Sequence, residues 1–161
     1  MEVLAASVIA VLGTLLGAAA THRYQLRSAQ LAARTALAEK TRQERLDAYA
    51  TYGGALMDYR RSLIDYCFAK REGQPEEDRL TLRRESFQLR SVAQEALFRI
   101  ELLSENTDLI QAGRDALNAV ATVYECNTRE ALRERRDASR SAVYAFITAA
   151  KGHISLPATT E

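Results

Sequence analysis

The sequence predicts an all-α protein: an N-terminal transmembrane helix that continues into a cytoplasmic three- or four-helix antiparallel bundle. Three observations carry this expectation. Residues 3–20 form a run of eighteen positions without a charge. Beyond it, apolar residues recur at alternating spacings of 3 and 4, the period of a helix that buries one face. The 161 residues include only two prolines and seven glycines, so long helices meet few interruptions. Lys and Arg together number 22 against 21 for Asp and Glu; that balance lacks the basic excess of a dedicated nucleic-acid binder. With 47% hydrophobic and 27% charged residues, the chain is not a disordered tail either.

The first element reads VLAASVIAVLGTLLGAAA. As a helix it is about 27 Å long, just enough for a hydrocarbon core of about 30 Å. Two alternatives compete with an uncleaved anchor over residues 1–22. Ala18 and Ala20 form an A-x-A arrangement that suits signal-peptide cleavage near Ala20 and release of a secreted helical module. Against cleavage, no Lys or Arg precedes the run, and Glu2 does. A buried helix of a soluble domain would show a polar stripe, and none is present. Positive charge follows the run at Arg23, Arg27 and Arg34, in a basic juxtamembrane helix over residues 23–45. By the positive-inside rule this leaves the N-terminus outside and the bundle in the cytoplasm. The same arginines are placed to meet anionic lipid headgroups. Small residues at Ala6, Ala10, Gly13, Gly17 and Ala20 are spaced 4, 3, 4 and 3. They make one helix stripe that lets two membrane helices approach closely, so self-association is expected.

Residues 46–152 are expected to form the bundle, with a flexible tail over 153–161. Tyr49, Tyr52, Leu56, Tyr59, Leu63 and Tyr66 make a seam of coiled-coil spacing, suited to the core or to a partner face. Gly53-Gly54 lies inside it, as a site of close helix packing or as a bend. The helix stops at the Glu72-Gly73-Gln74-Pro75 stretch. Pro75 suits the first position of the next helix, and Glu76, Glu77 and Asp78 suit the positive end of its dipole. That second helix carries a seam of Leu82, Leu89, Ala93, Ala96, Ile100 and Leu103, with Phe87, Leu97 and Phe98 widening the apolar face. After a polar turn at 104–108, Asp108-x-x-Gln111 resembles a capping box. The third helix carries Ile110, Gly113, Leu117, Val120 and Tyr124. Around 126–128 the pattern permits either a new helix or a continuation. The last helix buries Leu132, Val143, Phe146 and Ala150, with Gly152 and Pro157 beyond them as terminators.

Reactive chemistry lacks its residue sets. His22 and His153 are the only histidines, in no metal-binding helical spacing, so no metal site is expected. No glycine-rich phosphate loop or dinucleotide fingerprint occurs, and no cofactor is expected. Cys67 and Cys126, the only cysteines, stand far apart in sequence and read as buried thiols kept reduced in the cytoplasm. Arg133, Arg135, Arg136 and Arg140 alternate with Glu130, Glu134 and Asp137, which reads as a solvated face laced with salt bridges.

The stretches TRQERLDAY (41–49), GGAL (53–56) and ALFRIELL (96–103) resemble small single-span proteins of actinobacteria, mostly without assigned function. The preference for Arg (19) over Lys (3) fits a high-GC genome. In size, anchor and helical remainder the chain is also similar to Kil-override and spread proteins of mycelial conjugative plasmids, KilB-like proteins among them. That resemblance implies a membrane accessory to plasmid spread, and the missing residue sets make a non-enzymatic role the expectation. Its expected partners are membrane lipid, a second copy of itself and a membrane or transfer-machinery protein, with no direct contact to nucleic acid.

Overall fold

A computed structural model describes the backbone of residues 2–125 and 128–155, and the side chains of 21–125 and 128–154. Four helices account for it: α1 (Glu2–Arg71), α2 (Glu76–Leu103), α3 (Thr107–Ala121) and α4 (Arg129–Ser155), with a 3-10 turn at Thr122–Glu125 between the last two. No strand occurs among the described residues. Among those residues, no helix is long and apolar enough to cross a membrane. The span read at 3–20 lies outside the residues whose side chains are described.

The chain divides into two compact units, residues 1–42 and 43–161. In the first, α1 exposes every described side chain up to Lys40, including Tyr24, Leu26, Leu31 and Leu37. Its local bonds run along the helix, from Thr35 Oγ1 to the Leu31 carbonyl and from Arg42 to Glu39.

The second unit is the bundle. Tyr52, Leu56 and Leu63 of α1 are buried with Leu97 and Ile100 of α2, Leu109 and Val120 of α3, and Val143 and Phe146 of α4. Phe146 sits edge-on to Tyr52, with ring centroids 4.9 Å apart, the geometry favoured by the ring quadrupoles. The helix runs through Gly53-Gly54 without interruption, because the apolar face on either side is already committed to the core. Close packing does not demand these glycines: a Cβ on Gly53 would meet Ile147 at an ordinary 3.9 Å, and one on Gly54 would meet nothing.

Each helix end has a local cause. At the end of α1, Gly73 takes φ +69°, and the Gln74 N–H bonds back to the Ala69 carbonyl at 3.0 Å, a Schellman closure that favours glycine. Pro75 stands just outside α2, one position earlier than expected, and Glu76, Glu77 and Asp78 occupy the first turn. The cap of α3 is Asn106 rather than Asp108: Asn106 Oδ1 accepts from the Leu109 N–H at 2.9 Å, while Gln111 turns to Asp115. Thr128 opens α4 by accepting from the Ala131 N–H at 3.1 Å, so a new helix begins there.

Other expectations are corrected. The tail does not begin at 153, because α4 continues through Gly152 to Ser155 and His153 and Ile154 are half-buried. Phe87 and Phe98 are exposed; they lie off the stripe of Ala93, Ala96, Leu97 and Ile100 that faces the core. Cys67 is buried and disulfide-bonded, not a reduced thiol. Separation in sequence misleads here, because the fold brings the end of α1 against the 3-10 turn, with Cys67 Sγ 3.3 Å from the Val123 carbonyl oxygen. Cys126, the other cysteine of the sequence, lies outside the described residues.

Candidate functional site

The α1 seam faces inward. Tyr49, Tyr52, Leu56, Tyr59 and Leu63 are buried, and Tyr66 is half-buried, stacked on Tyr124 with ring centroids 5.3 Å apart. Tyr52, Leu56, Tyr59 and Leu63 form core, while Tyr49 also borders a groove open to solvent. Burial raises the pKa of the Tyr52 and Tyr59 phenols, with Glu101 adding to the effect at Tyr52 and Arg90 opposing it at Tyr59. The Tyr52 hydroxyl donates to the Gly113 carbonyl at 2.7 Å, which binds α1 to α3 at mid-bundle. Arg23, Arg27 and Arg34 are exposed on the first unit. Ala6, Ala10, Gly13, Gly17 and Ala20 lie outside the residues whose side chains are described.

A different stripe of α1 is open. Leu46, Ala50, Gly53 and Met57 are spaced 4, 3 and 4, and with Ile147, Ala150 and Ile154 of α4 they line a groove of about 540 Å³. Tyr49 and Phe146 also line it. Leu46, Met57 and Ile147 are 43%, 40% and 42% exposed. The absence of side chains at Gly53 and Gly54 leaves the surface concave there. Filling the groove with an apolar face would remove these three residues from water, each stabilising by roughly 1 kcal/mol given that about half of each is already covered. An open apolar groove is the kind of surface against which an amphipathic helix can lay its apolar face. Sequence reasoning missed it because the glycines read as a disturbance in the seam rather than as an opening beside it.

One end of the groove abuts a polar cluster. Ser104 Oγ lies 3.4 Å from His153 Nε2 and accepts from the Asn106 N–H at 3.2 Å. Arg45 Nε donates to the Leu103 carbonyl at 3.1 Å. Burial raises the pKa of the Tyr49 phenol, tempered by Ser104 and Arg45. Through these contacts Arg45 of α1, Ser104 at the end of α2 and His153 of α4 tie three helices together.

Burial first, and Arg45 second, hold His153 below its usual pKa. The unfolded chain takes up a proton at His153 near pH 6.5 while the folded chain does not, so the stability present above that pH is lost as the pH falls. His153→Gln is expected to flatten the decline of the urea midpoint between about pH 6.5 and 5. Parallel declines in variant and parent would assign the effect elsewhere.

A family model described as KilB plasmid transfer protein matches residues 46–154, which begins and ends on residues lining the groove. No curated protein and no solved structure matches the chain.

Proposed function

This chain belongs to the KilB plasmid transfer protein family, and from that premise we propose that it serves plasmid transfer as a non-enzymatic, membrane-anchored recruiting protein. The observation that carries the reading is the apolar groove between α1 and α4, inside the segment that the family model matches. Its occupant is the apolar face of a helix from another protein of the transfer machinery. The uncharged run at 3–20 supports a single membrane span, and the arginines after it support a bundle held on the cytoplasmic side. Anchoring raises the effective concentration of the groove for partners held in the same membrane. The small-residue stripe with Gly13 and Gly17 supports pairing of two anchors.

Gly54 supplies the test. Gly54→Leu projects a side chain into open space at the groove, whereas Gly54→Ala adds one methyl group that meets nothing. Both should fold, each gaining up to about 1 kcal/mol in helix propensity. Plasmid transfer frequency is expected to fall about tenfold with the leucine, equivalent to 1.4 kcal/mol of lost partner affinity, and to hold with the alanine. Equal frequencies for the two variants would remove the groove from the mechanism.

The disulfide at Cys67 favours a second reading, in which the bundle works on an oxidising side of the membrane or is released after cleavage near Ala20. Mass spectrometry of the mature N-terminus and a topology reporter at the C-terminus separate the two. An intact N-terminus with an inward reporter supports the first, and cleavage or an outward reporter supports the second.

A further inference from the structure

We propose that a pocket between the end of α1 and the start of α4 binds a compact phosphate ester through Arg71, Arg129, Arg133 and Arg136. The pocket measures about 590 Å³, within the range of small-molecule sites and far larger than a phosphate group alone, so it has room for an attached organic part. Arg129, Arg133 and Arg136 are spaced 4 and 3 and fall on one stripe of α4, while Arg71 is the last residue of α1. Their guanidinium groups make no ion pair or hydrogen bond among the described residues. The expected lacing with Glu130, Glu134 and Asp137 is absent, and Arg135 pairs with Glu125 instead.

Four arginines against two carboxylates in one concave site leave an excess of positive charge, and an anion relieves the repulsion among them. Arg60 reports the same field. Its Nε donates to Ser139 Oγ at 3.0 Å and its Nη2 to the Arg136 carbonyl at 2.9 Å. Burial, and then the Arg136 and Arg140 charges, lower its pKa, with Asp137 acting in the opposite sense. Guanidinium forks match the oxygens of a phosphate in pairs. Phe68 and Leu132 complete the lining with apolar surface for the organic part of the ester. Glu130 and Asp137 also line the pocket; they leave two cations in excess, enough for one phosphate and adverse to a long polyanion. A lipid headgroup and a soluble phosphate ester present the same chemistry here.

The test is calorimetric titration of the full chain in neutral detergent with inorganic phosphate, repeated in micelles doped with phosphatidic acid or with phosphatidylcholine. Phosphate is expected to bind, and the double variant Arg133→Ala/Arg136→Ala to bind it at least about tenfold more weakly. Arg114→Ala, whose guanidinium is paired with Glu101 at 2.8 Å, should bind like the parent. If phosphatidic acid abolishes the phosphate heat and phosphatidylcholine does not, the ester is a lipid; if neither does, it is soluble. No phosphate heat in the parent, or equal affinity in the double variant, overturns the proposal. So does duplex DNA binding more tightly than phosphate with a loss spread evenly over all arginine variants.

Discussion

Phe146→Ala is expected to destabilise the bundle by about 3–5 kcal/mol, a large part of the 5–15 kcal/mol that holds a typical domain together. Phe146 is 0% exposed. Its ring is edge-on to Tyr52 at 4.9 Å and to Tyr49 at 6.4 Å between centroids. Removing it takes away both aromatic contacts and leaves a cavity among α1, α3 and α4. The surrounding residues cannot close it without moving Tyr52, whose hydroxyl is fixed to the Gly113 carbonyl. Urea unfolding followed by circular dichroism should show a lower midpoint with an unchanged slope. A loss under about 1 kcal/mol would mean that this ring does not join the three helices.

Gly113→Val is expected to cost about 2–3 kcal/mol, by overpacking. A Cβ at Gly113 would stand 2.9 Å from Leu97 Cδ1, 3.6 Å from Tyr52 and 3.7 Å from Phe146. Leu97 is 2% exposed, and its Cδ1 must give way before a β-carbon fits at position 113. Valine adds two further carbons and overrides the gain in helix propensity from removing glycine, under about 1 kcal/mol. Leu97→Ala should relieve the clash, so the double variant should be more stable than the sum of the single losses by at least about 1 kcal/mol. Strict additivity would separate Gly113 from Leu97 and remove the steric account.

Much of the core was legible from spacing. Ala93 and Ile100, Leu117 and Val120, and Val143 and Phe146 lie on the expected helix faces and are buried, as are Tyr52, Leu56 and Leu63, whose seam suited either the core or a partner; Tyr124, expected on the third helix, is 40% exposed in the 3-10 turn. A side chain's angular position on a helix follows from its number, so periodicity suffices there. Phe87 and Phe98 show the limit of that rule: they are as apolar as their neighbours and face solvent, because angular position outweighs composition. The caps at Asn106 and Thr128 were ambiguous because several polar residues cluster near each helix start, and only the backbone path selects one of them.

The candidate sites were less legible. The groove needs α4 beside α1 before Gly53 and Gly54 become an opening. The arginine pocket needs Arg71 brought to the start of α4, and the Ser104–His153 contact spans 49 positions of chain. None of these pairings leaves a mark in local spacing.

By itself, the sequence determined that the chain is helical, where each helix presents its apolar face, and that eighteen uncharged residues precede an arginine-rich stretch. The tertiary structure alone decided which helix covers which face, that Tyr52 and Tyr59 of the seam are sealed inside the bundle, and which arginines are left without partners. The reason is geometric. Helical periodicity is set by bonds between residues a few positions apart. Neighbours in space, by contrast, are chosen by packing among segments whose order along the chain leaves their pairing open.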